Sequence, residues 1–346
     1  MRSEAFVPAN RAAVIALARE SWDRPTDDAY YAWRYGSAPT QEAALAFVGE
    51  ACVATMFAIR RTYGSPDGER EVLEPFEWHA HPAWRSQGAG LRVVKHWMAC
   101  ERPLLALGGT DAATRLFARL RWSRLGTGGT YVLPLHAPFL SARGRGRLFT
   151  SLFERVVRHY FTPRRDSRVV RLVRVSEPGP EALAIARAQR RFDWMRLPDV
   201  ATWRWLTSAP AALGRFIAFH IIVDGEVIGW ATARVYRVGG VTCGQIHECF
   251  LRDEARAHYP DAFHAVCAAL TRMPVDAIRC VTSCPDTIAA LRGLHFRHDN
   301  DEPVFLWNGG RPVAVGSALI DAGHADRAFF PVPTSAEARE SEVARD

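Results

Sequence analysis

The sequence has few of the features that would place it outside the ordinary globular proteins. Its 346 residues contain no run of about 18 apolar residues, so the sequence predicts no transmembrane helix. Charged residues make up 23% and apolar residues 48%, so long disorder, collagen repeats and coiled coils are also excluded. Lysine is nearly missing, because Lys95 is the single lysine among 44 lysines and arginines. The length is typical of about two domains.

The chain also lacks paired cysteine motifs. Its seven cysteines are an odd number and include no CxxC pair, which favours free thiols in a reducing compartment over disulfides or a zinc site. Charges at Arg2, Glu4, Arg11 and Arg19 interrupt the first twenty residues, so no signal peptide is expected. We therefore predict a cytoplasmic protein. The net charge of +7 is carried by arginine and is a weak indication of an anionic ligand.

Periodicity and turn residues predict a compact layer over the first 135 residues. Asn10 is the expected cap of a helix over 11 to 20, and a second helix follows Thr26. Later segments read in order as three strands, a helix, a strand, a helix and a strand: 43 to 48, 51 to 59, 71 to 80, a stretch from Leu91, 104 to 107, 111 to 121 and 130 to 135. This order predicts an α/β or α+β fold.

The second half of the chain repeats this series at an offset near 170 residues. Trp33-Arg34-Tyr35 has a counterpart in Trp203-Arg204-Trp205, and a hairpin follows each, the second with the turn signal Asp224-Gly225. A duplicated domain is the simplest explanation. We expect four parts: a domain over 1–137, an arginine-rich connector with one helix over 138–175, a second domain over 176–331, and a disordered tail over 332–346.

The most informative hexapeptide runs from Arg85 to Gly90, with Gly88 and Gly90 between a predicted strand and a predicted helix. Glycines at such a junction let the backbone approach a ligand, and the free amides of the first helical turn can hold a pyrophosphate. A tight turn without a ligand explains the same pattern equally well. It is not a P-loop, because no Gly-Lys-Ser/Thr follows, and it does not follow the first strand of a dinucleotide-binding unit.

With its flanks, the segment Trp78-His79-Ala80-His81-Pro82-Ala83-Trp84-Arg85-Ser86-Gln87-Gly88-Ala89-Gly90 resembles the acyl-CoA motif of the GNAT acyltransferase superfamily. In that superfamily a Gln/Arg-x-x-Gly-x-Gly/Ala turn after the fourth strand grips the CoA pyrophosphate with its amides. The resemblance implies two tandem GNAT-like domains, each with a mixed, mostly antiparallel central sheet flanked by helices. It also implies a set of cofactor-binding residues: Trp78, Ala80, Arg85, Ser86, Gln87, Gly88, Ala89 and Gly90.

The resemblance continues over 110–122 with departures. Phe117 stands where the family often has a tyrosine that protonates the departing thiolate, and a phenyl ring has no proton to give. In the second half the corresponding junction, from Leu251 to His258, has no glycine turn and carries Asp253 and Glu254. The second domain is therefore expected to have lost its CoA site.

The resemblance also places the catalytic base. Glu74 is the first candidate and Glu77 the second, although either could equally be a solvated strand residue or pair with an arginine. Pro75 suggests a bulge in this strand. Glu77, His79 and His81 alternate as a metal triad would, but strand spacing is wide for one ion, so no metal is expected. His247-Glu248 aligns near Phe76-Glu77 and could line an acceptor pocket or be a buried pair.

The function implied by the resemblance is transfer of an acyl group, from acetyl-CoA as cosubstrate, directly to the amine of a small acceptor such as an amino sugar. Two alternatives stay open: a non-catalytic acyl-CoA-binding scaffold, and a Fem-like transferase that uses aminoacyl-tRNA. The aromatic residues of the connector fit a helix face better than nucleic-acid stacking, so a nucleic-acid partner is not expected. A homo-oligomer is left open.

Overall fold

The computed structural model describes residues 1–21, 28–36, 41–109, 111–136, 169–238, 240–310 and 317–324. We call residues 1–136 the first half and residues 169–324 the second half. The first half contains these elements in order: β1 (Arg2–Ala5), a 3₁₀ turn (Pro8–Asn10), α1 (Arg11–Ser21), α2 (Asp28–Gly36), β2 (Gln41–Val48), β3 (Ala51–Ser65), β4 (Gly68–Ala80), α3 (Pro82–Arg85), α4 (Ala89–Met98), β5 (Leu104–Leu107), α5 (Asp111–Arg119) and β6 (Ser123–Pro134).

The second half has a closely similar order. Its elements are β7 (Arg171–Val175), α6 (Gly179–Ala188), β8 (Met195–Arg196), α7 (Val200–Thr207), a 3₁₀ turn (Ala211–Leu213), β9 (Arg215–Val223), β10 (Glu226–Val238), β11 (Val241–Leu251), a 3₁₀ helix (Asp253–His258), α8 (Tyr259–Thr271), β12 (Ala277–Thr282), α9 (Pro285–Gly293) and β13 (Arg297–Trp307). β7 occupies the last residues of the predicted connector. Most of that connector, and the predicted tail, lie outside the described residues.

Two helix starts show how local chemistry sets these boundaries. Asp199 caps α7, and its carboxylate accepts hydrogen bonds from the amides of Ala201 and Thr202. The predicted cap of α1 is different. Asn10 ends the 3₁₀ turn that leads into α1, and its side-chain nitrogen donates to the carbonyl of Ala5 at 3.4 Å. The predicted helix is present, but Asn10 ties it to β1.

The strands form one continuous, mostly antiparallel sheet in the order β1-β2-β3-β4-β5-β13-β6-β12-β11-β10-β9-β7, and β8 pairs with β3. The pairs β4/β5 and β11/β12 are parallel. β13, the last strand of the second half, lies between β5 and β6, while β6 lies beside β12. Each half thus completes the sheet of the other. The predicted mixed sheet flanked by helices is confirmed, and the division into two tandem domains stays a prediction.

Helices cover both faces of the sheet. Along β2, Leu45 packs toward α1 and α2 while Ala44 and Ala46 pack toward α4, as the two-residue period of a strand requires. The two halves share the first of these cores, where Trp33 of α2 stacks on Trp205 of α7 at 4.6 Å and donates a hydrogen bond to its carbonyl. The halves therefore pack as one body.

Two further expectations concern cysteines and membranes. All seven cysteines are free, and five of them are buried. Among the described residues, no helix has the length and apolar character needed to cross a membrane.

Candidate functional site

A split between two parallel strands forms the centre of the candidate site. β4 and β5 pair at Leu73 and Leu104, and the Leu73 amide donates to the carbonyl of Pro103 at 2.9 Å. β4 then continues to Ala80, and in this stretch its described pairing is with β3. The edge of β4 that faces away from β3 is thereby opened over its last residues. Such an edge offers backbone donors and acceptors to an extended ligand.

The predicted glycine turn lies just beyond the open end of β4. His81 caps the short helix α3, because its Nδ1 accepts the amide of Ala83 at 3.2 Å. Gly88 follows with φ of 78° and precedes α4, whose Arg92 amide donates to the carbonyl of Gly88. The amides of Ala89, Gly90 and Leu91 precede the first bond of this helical ladder. They therefore form the positive end of the helix dipole.

Gly88 and Gly90 are each required for a different structural reason. Gly88 has a left-handed backbone, and a Cβ at this position would meet nothing within 4 Å, so the space above the turn is open. Gly90 packs closely on β4: a Cβ there would lie 3.2 Å from Nε1 of Trp78 and 3.6 Å from the Cβ of Ala80. One glycine therefore shapes the turn, and the other brings α4 against the strand.

The remaining predicted cofactor-binding residues surround this turn. Trp78 donates from its indole to the carbonyl of Gly90 at 3.1 Å, and Arg85 donates from Nε to the carbonyl of Ala80 at 3.0 Å. These two bonds fasten the turn to the end of β4. Arg85, Ser86 and Gln87 are exposed beside it, whereas Ala89, the first residue of α4, is buried. The structure thus brings the predicted set together at one end of the split.

Glu77 lies in a β-bulge of β4 with φ of 47°, two residues after Pro75. Its buried carboxylate accepts hydrogen bonds from Tyr30 at 3.0 Å, from Arg34 at 2.9 Å and from Tyr35 at 2.7 Å. All three donors belong to α2. Glu77 therefore fastens α2 to the bulge, and both of its oxygens already have partners.

Glu74 lies in a different environment, in the polar centre between the halves. It is fully buried, accepts a hydrogen bond from Tyr63 at 2.7 Å and lies 4.0 Å from Nε of Arg61. Burial alone would raise the pKa of Glu74, but His324, Arg196 and Arg61 outweigh it and hold the pKa below its usual range. Glu74 is thus a carboxylate at neutral pH. The two candidate bases have separate sets of partners.

Three other predicted features have clear positions. His81 lies 3.2 Å from Glu20, which with its capping bond accounts for both ring nitrogens. Burial lowers the pKa of His79 to about 4. Among the described residues, no group of three metal-ligating side chains is found.

Phe117 packs between two tryptophans: its ring centroid lies 4.5 Å from that of Trp122 and 5.6 Å from that of Trp78. Phe117 therefore belongs to an aromatic core beside the split.

A second split, in the second half, was largely missed by the sequence reasoning. β11 and β12 pair from Cys243 to Ile246, and a bulge follows at His247. The junction after β11 is a 3₁₀ helix, in which Oδ1 of Asp253 lies 2.6 Å from Nε of Arg191. A carboxylate therefore lies where the corresponding junction of the first half has its glycine turn. The pair His247-Glu248 could have indicated this site from the sequence, because both residues line a cleft beside the bulge.

The partners of this second split come from distant parts of the sequence. Arg61, Arg196 and Asp321 approach it from β3, β8 and the segment 317–324. No local pattern marks these residues as neighbours. Only the exchange of elements between the halves brings them together.

Comparisons with known proteins agree with this geometry. No protein-family model and no curated protein matches the sequence. Among solved structures, Saccharomyces cerevisiae N-myristoyltransferase with bound myristoyl-CoA is similar, with a TM-score of 0.59, 12% identity, and coverage of 88% of this chain and 82% of that one. A GCN5-related N-acetyltransferase from Anabaena variabilis has a TM-score of 0.60, 10% identity, and coverage of 88% and 72%.

A probable N-acyltransferase from Enterococcus faecalis is similar at a TM-score of 0.59 and 8% identity, with coverage of 88% of this chain and 72% of that one. Identities this low carry information about the fold alone. The glycine turn and the order of the elements are the features on which the resemblance in sequence was based. The chain has the fold of the GNAT superfamily.

Proposed function

We propose that the protein is an acyl-CoA-dependent N-acyltransferase whose CoA site lies at the β4/β5 split. One observation carries the proposal: the glycine turn lies at the open end of the split, with free space above Gly88 and the α4 amides behind it. The pyrophosphate would bind the amides of Ala89, Gly90 and Leu91. The exposed Arg85 beside the turn adds positive charge for the same anion.

The rest of the cosubstrate would extend along the open edge of β4. Backbone groups near Trp78 to Ala80 would then pair with its amides, and an N–H of this edge would polarise the thioester carbonyl. We propose acetyl-CoA as the acyl donor, as the resemblance implies. The solved yeast relative contains myristoyl-CoA, so a longer acyl chain is the natural comparison.

The proposed chemistry is direct attack of the acceptor amine on the thioester carbon. The new C–N bond forms, the C–S bond breaks, and the electron pair leaves with the CoA sulfur. A base takes the proton released by the amine. Glu74 and Glu77 remain the candidates: Glu74 is a carboxylate at neutral pH, while the oxygens of Glu77 are occupied by Tyr30, Arg34 and Tyr35. The acceptor would be a small amine, and the cytoplasm suits the free cysteines.

Calorimetry of CoA binding tests the site. We expect acetyl-CoA to bind the wild type and Gly88→Asp to weaken binding at least a hundredfold, because a carboxylate would enter the pyrophosphate space. Gly225→Asp is the matched control, since Gly225 has φ of 86° and equally open surroundings in a distant hairpin. Equal losses in both variants, or no binding by the wild type to acetyl-CoA or myristoyl-CoA, would contradict the assignment.

One observation favours a second candidate, a scaffold that binds acyl-CoA without transferring the acyl group. Phe117 is buried among aromatic rings, so the usual proton donor is replaced by a packed hydrocarbon. Phe117→Tyr tests this candidate, with Phe305→Tyr in the same aromatic core as its control. A scaffold would bind acetyl-CoA and release no CoA thiol with any amine, before or after the change at Phe117.

A further inference from the structure

A cleft lies beside the bulge of the second half, away from the glycine turn, and its space of about 450 Å³ includes open solvent. It is lined by the bulge residue His247 and Glu248 of β11, by residues of α7, and by Arg61 of β3 in the first half. The polar side chains that line it are Arg61, Arg196, Asp199, Thr202, Thr232, His247 and Glu248. Both halves therefore build this cleft.

Arg61 provides the first indication of a ligand. It is 5% exposed, and within the described part of the chain its Nε and Nη1 have no hydrogen-bond partner. Its closest carboxylates, on Glu74 and Asp199, lie at 4.0 and 3.8 Å. A buried donor without an acceptor is costly, and a guanidinium has the geometry to bind a carboxylate with two bonds. A ligand carboxylate would satisfy Arg61.

His247 provides the second indication. It is 2% exposed, and Nε2 of its ring has no partner among the described residues although it lines the cleft. Burial and the nearby Arg234 lower the pKa of His247 well below its ordinary value, so the ring is neutral at pH 7. A neutral ring nitrogen can accept a hydrogen bond from an N–H group of a ligand.

The charge around the cleft favours a ligand that carries both signs of charge. Two arginines and two carboxylates line it, so the lining is balanced: Arg61, Arg196, Asp199 and Glu248. A ligand that brought only a carboxylate would add an unbalanced negative charge in a partly buried place. A ligand that also carries an ammonium group would keep the balance, with the ammonium next to Asp199 or Glu248.

The remaining wall of the cleft is apolar, formed by Pro178, Leu197, Pro198, Trp203 and Leu206. We propose that this cleft binds an α-amino acid with an apolar side chain: the carboxylate on Arg61, the amine toward His247 and the neighbouring carboxylates, and the side chain on the apolar wall. The binding site stands on the cleft alone. That the amino acid is the acyl acceptor rests on the proposed function, and replaces the amino sugar suggested by the resemblance.

Three matched probes test the site by calorimetry at millimolar concentrations. L-leucine carries both polar groups, leucinamide lacks the carboxylate, and 4-methylpentanoate lacks the amine. We expect L-leucine to bind and each of the other probes to bind at least tenfold more weakly. Absence of L-leucine binding, or equal binding of leucinamide, would overturn the proposal.

Two arginine variants test whether Arg61 binds the carboxylate of the ligand. Arg61→Met should weaken L-leucine at least tenfold and remove its advantage over leucinamide, since the carboxylate would lose its partner. Arg60→Met is the matched control, because Arg60 precedes Arg61 on β3 but pairs with Glu42 at 3.2 Å outside the cleft. If Arg61→Met keeps the discrimination between the probes, Arg61 does not bind the carboxylate and the proposal fails. The comparison between probes in the wild type stands even if Arg61→Met does not fold.

The two proposals fail separately. Gly88→Asp should lose acetyl-CoA and keep L-leucine, and Arg61→Met should do the reverse. L-leucine binding without any acetyl-CoA binding would overturn the proposed function and leave the amino-acid site. If both ligands bind but no N-acetyl-leucine forms, the amino acid is not the acceptor.

Discussion

The two halves of the molecule each carry a β-bulge beside a pair of splitting parallel strands, and they use it in opposite ways. In the first half Glu77 occupies the bulge and is bound by three donors from α2. In the second half His247 occupies it and lines a cleft, and its Nε2 has no hydrogen-bond partner among the described residues. The same backbone irregularity can therefore fasten a helix or open a pocket, depending on the neighbouring helix.

The neighbouring helices explain the difference. Arg34 of α2 points inward to Glu77, whereas Arg204 of α7, which the sequence aligns with it, points outward to Glu177 at 3.0 Å. The junctions after these strands differ in the other direction, because the space above Gly88 is open in the first while Asp253 pairs with Arg191 in the second. We accordingly propose the CoA site at the first junction and the amino-acid site in the cleft that both halves line.

The largest expected effect on stability is at Glu77, in the bulge of the first half. Glu77→Gln should lower the free energy of unfolding by about 3 to 5 kcal/mol, because Arg34 would be left as a buried charge without its carboxylate. Urea unfolding measures this change. The double variant Arg34→Met/Glu77→Gln should recover part of the loss, and an equal loss in single and double variants would show that the ion pair is not the cause.

The next effect is a loss of stability in acid, to which both bulges contribute because the pKa values of His79 and His247 are both lowered. His79 beside the fastened bulge has a folded pKa of about 4, below the ordinary value near 6.5. As pH falls from 6.5 to 4, the unfolded chain binds a proton that the folded chain does not, so folding loses up to about 3 kcal/mol. His79→Gln should flatten this part of the curve in urea unfolding. His298→Gln, at an exposed histidine of β13, is the control variant.

Below pH 4 a second loss should begin. The pKa of Asp321 is held at about 2, because Arg196 and His324 outweigh the effect of burial, and the pKa of Glu74 is also lowered. A carboxyl group with a depressed folded pKa stabilises the fold above its unfolded pKa and loses that contribution as pH falls. Acid unfolding should therefore have two stages, of which His79→Gln changes only the first.

These residues also show how far sequence reasoning extends. The glycine turn, the strand order of the first half and the bulge near Pro75 depend on local chemistry, so they could be read from neighbouring residues. The exchange of β6 and β13 and the polar centre around Glu74 depend on contacts between segments more than a hundred residues apart. No periodicity records such contacts, which is why Arg61 and Arg196 were not identified.

A smaller effect separates the two glycines of the turn. Gly88→Ala should cost about 1 to 2 kcal/mol because of its left-handed backbone. Gly90→Ala should cost a similar amount, about 1 to 3 kcal/mol, because its Cβ would press on Trp78. Trp78→Phe removes the indole nitrogen and its bond to the carbonyl of Gly90, so the double variant Gly90→Ala/Trp78→Phe is compared with Trp78→Phe alone. Against that baseline the cost of Gly90→Ala should fall in urea unfolding, and the cost of Gly88→Ala should not. Relief of the Gly88 cost by Trp78→Phe would contradict these separate causes.

The smallest effect on stability is expected at His247, in the bulge of the second half. His247→Gln should change the free energy of unfolding by about 1 kcal/mol or less, since within the described residues no hydrogen bond to Nε2 is lost and the edge contact with Phe216 is a weak one. Set beside Glu77→Gln, this variant measures the contrast between the bulges directly. A loss as large as that of Glu77→Gln would mean that His247 is structural and not held for a ligand.

The exchange of final strands has a consequence for biosynthesis. When the ribosome has made the first half, β5 has no neighbour on its outer side, because β13 has not yet been translated. An unpaired strand edge is a template for pairing with other chains. The nascent protein must therefore keep β5 and β6 from foreign partners until residues 297–307 emerge, and a chain truncated before them should be insoluble rather than a smaller folded protein.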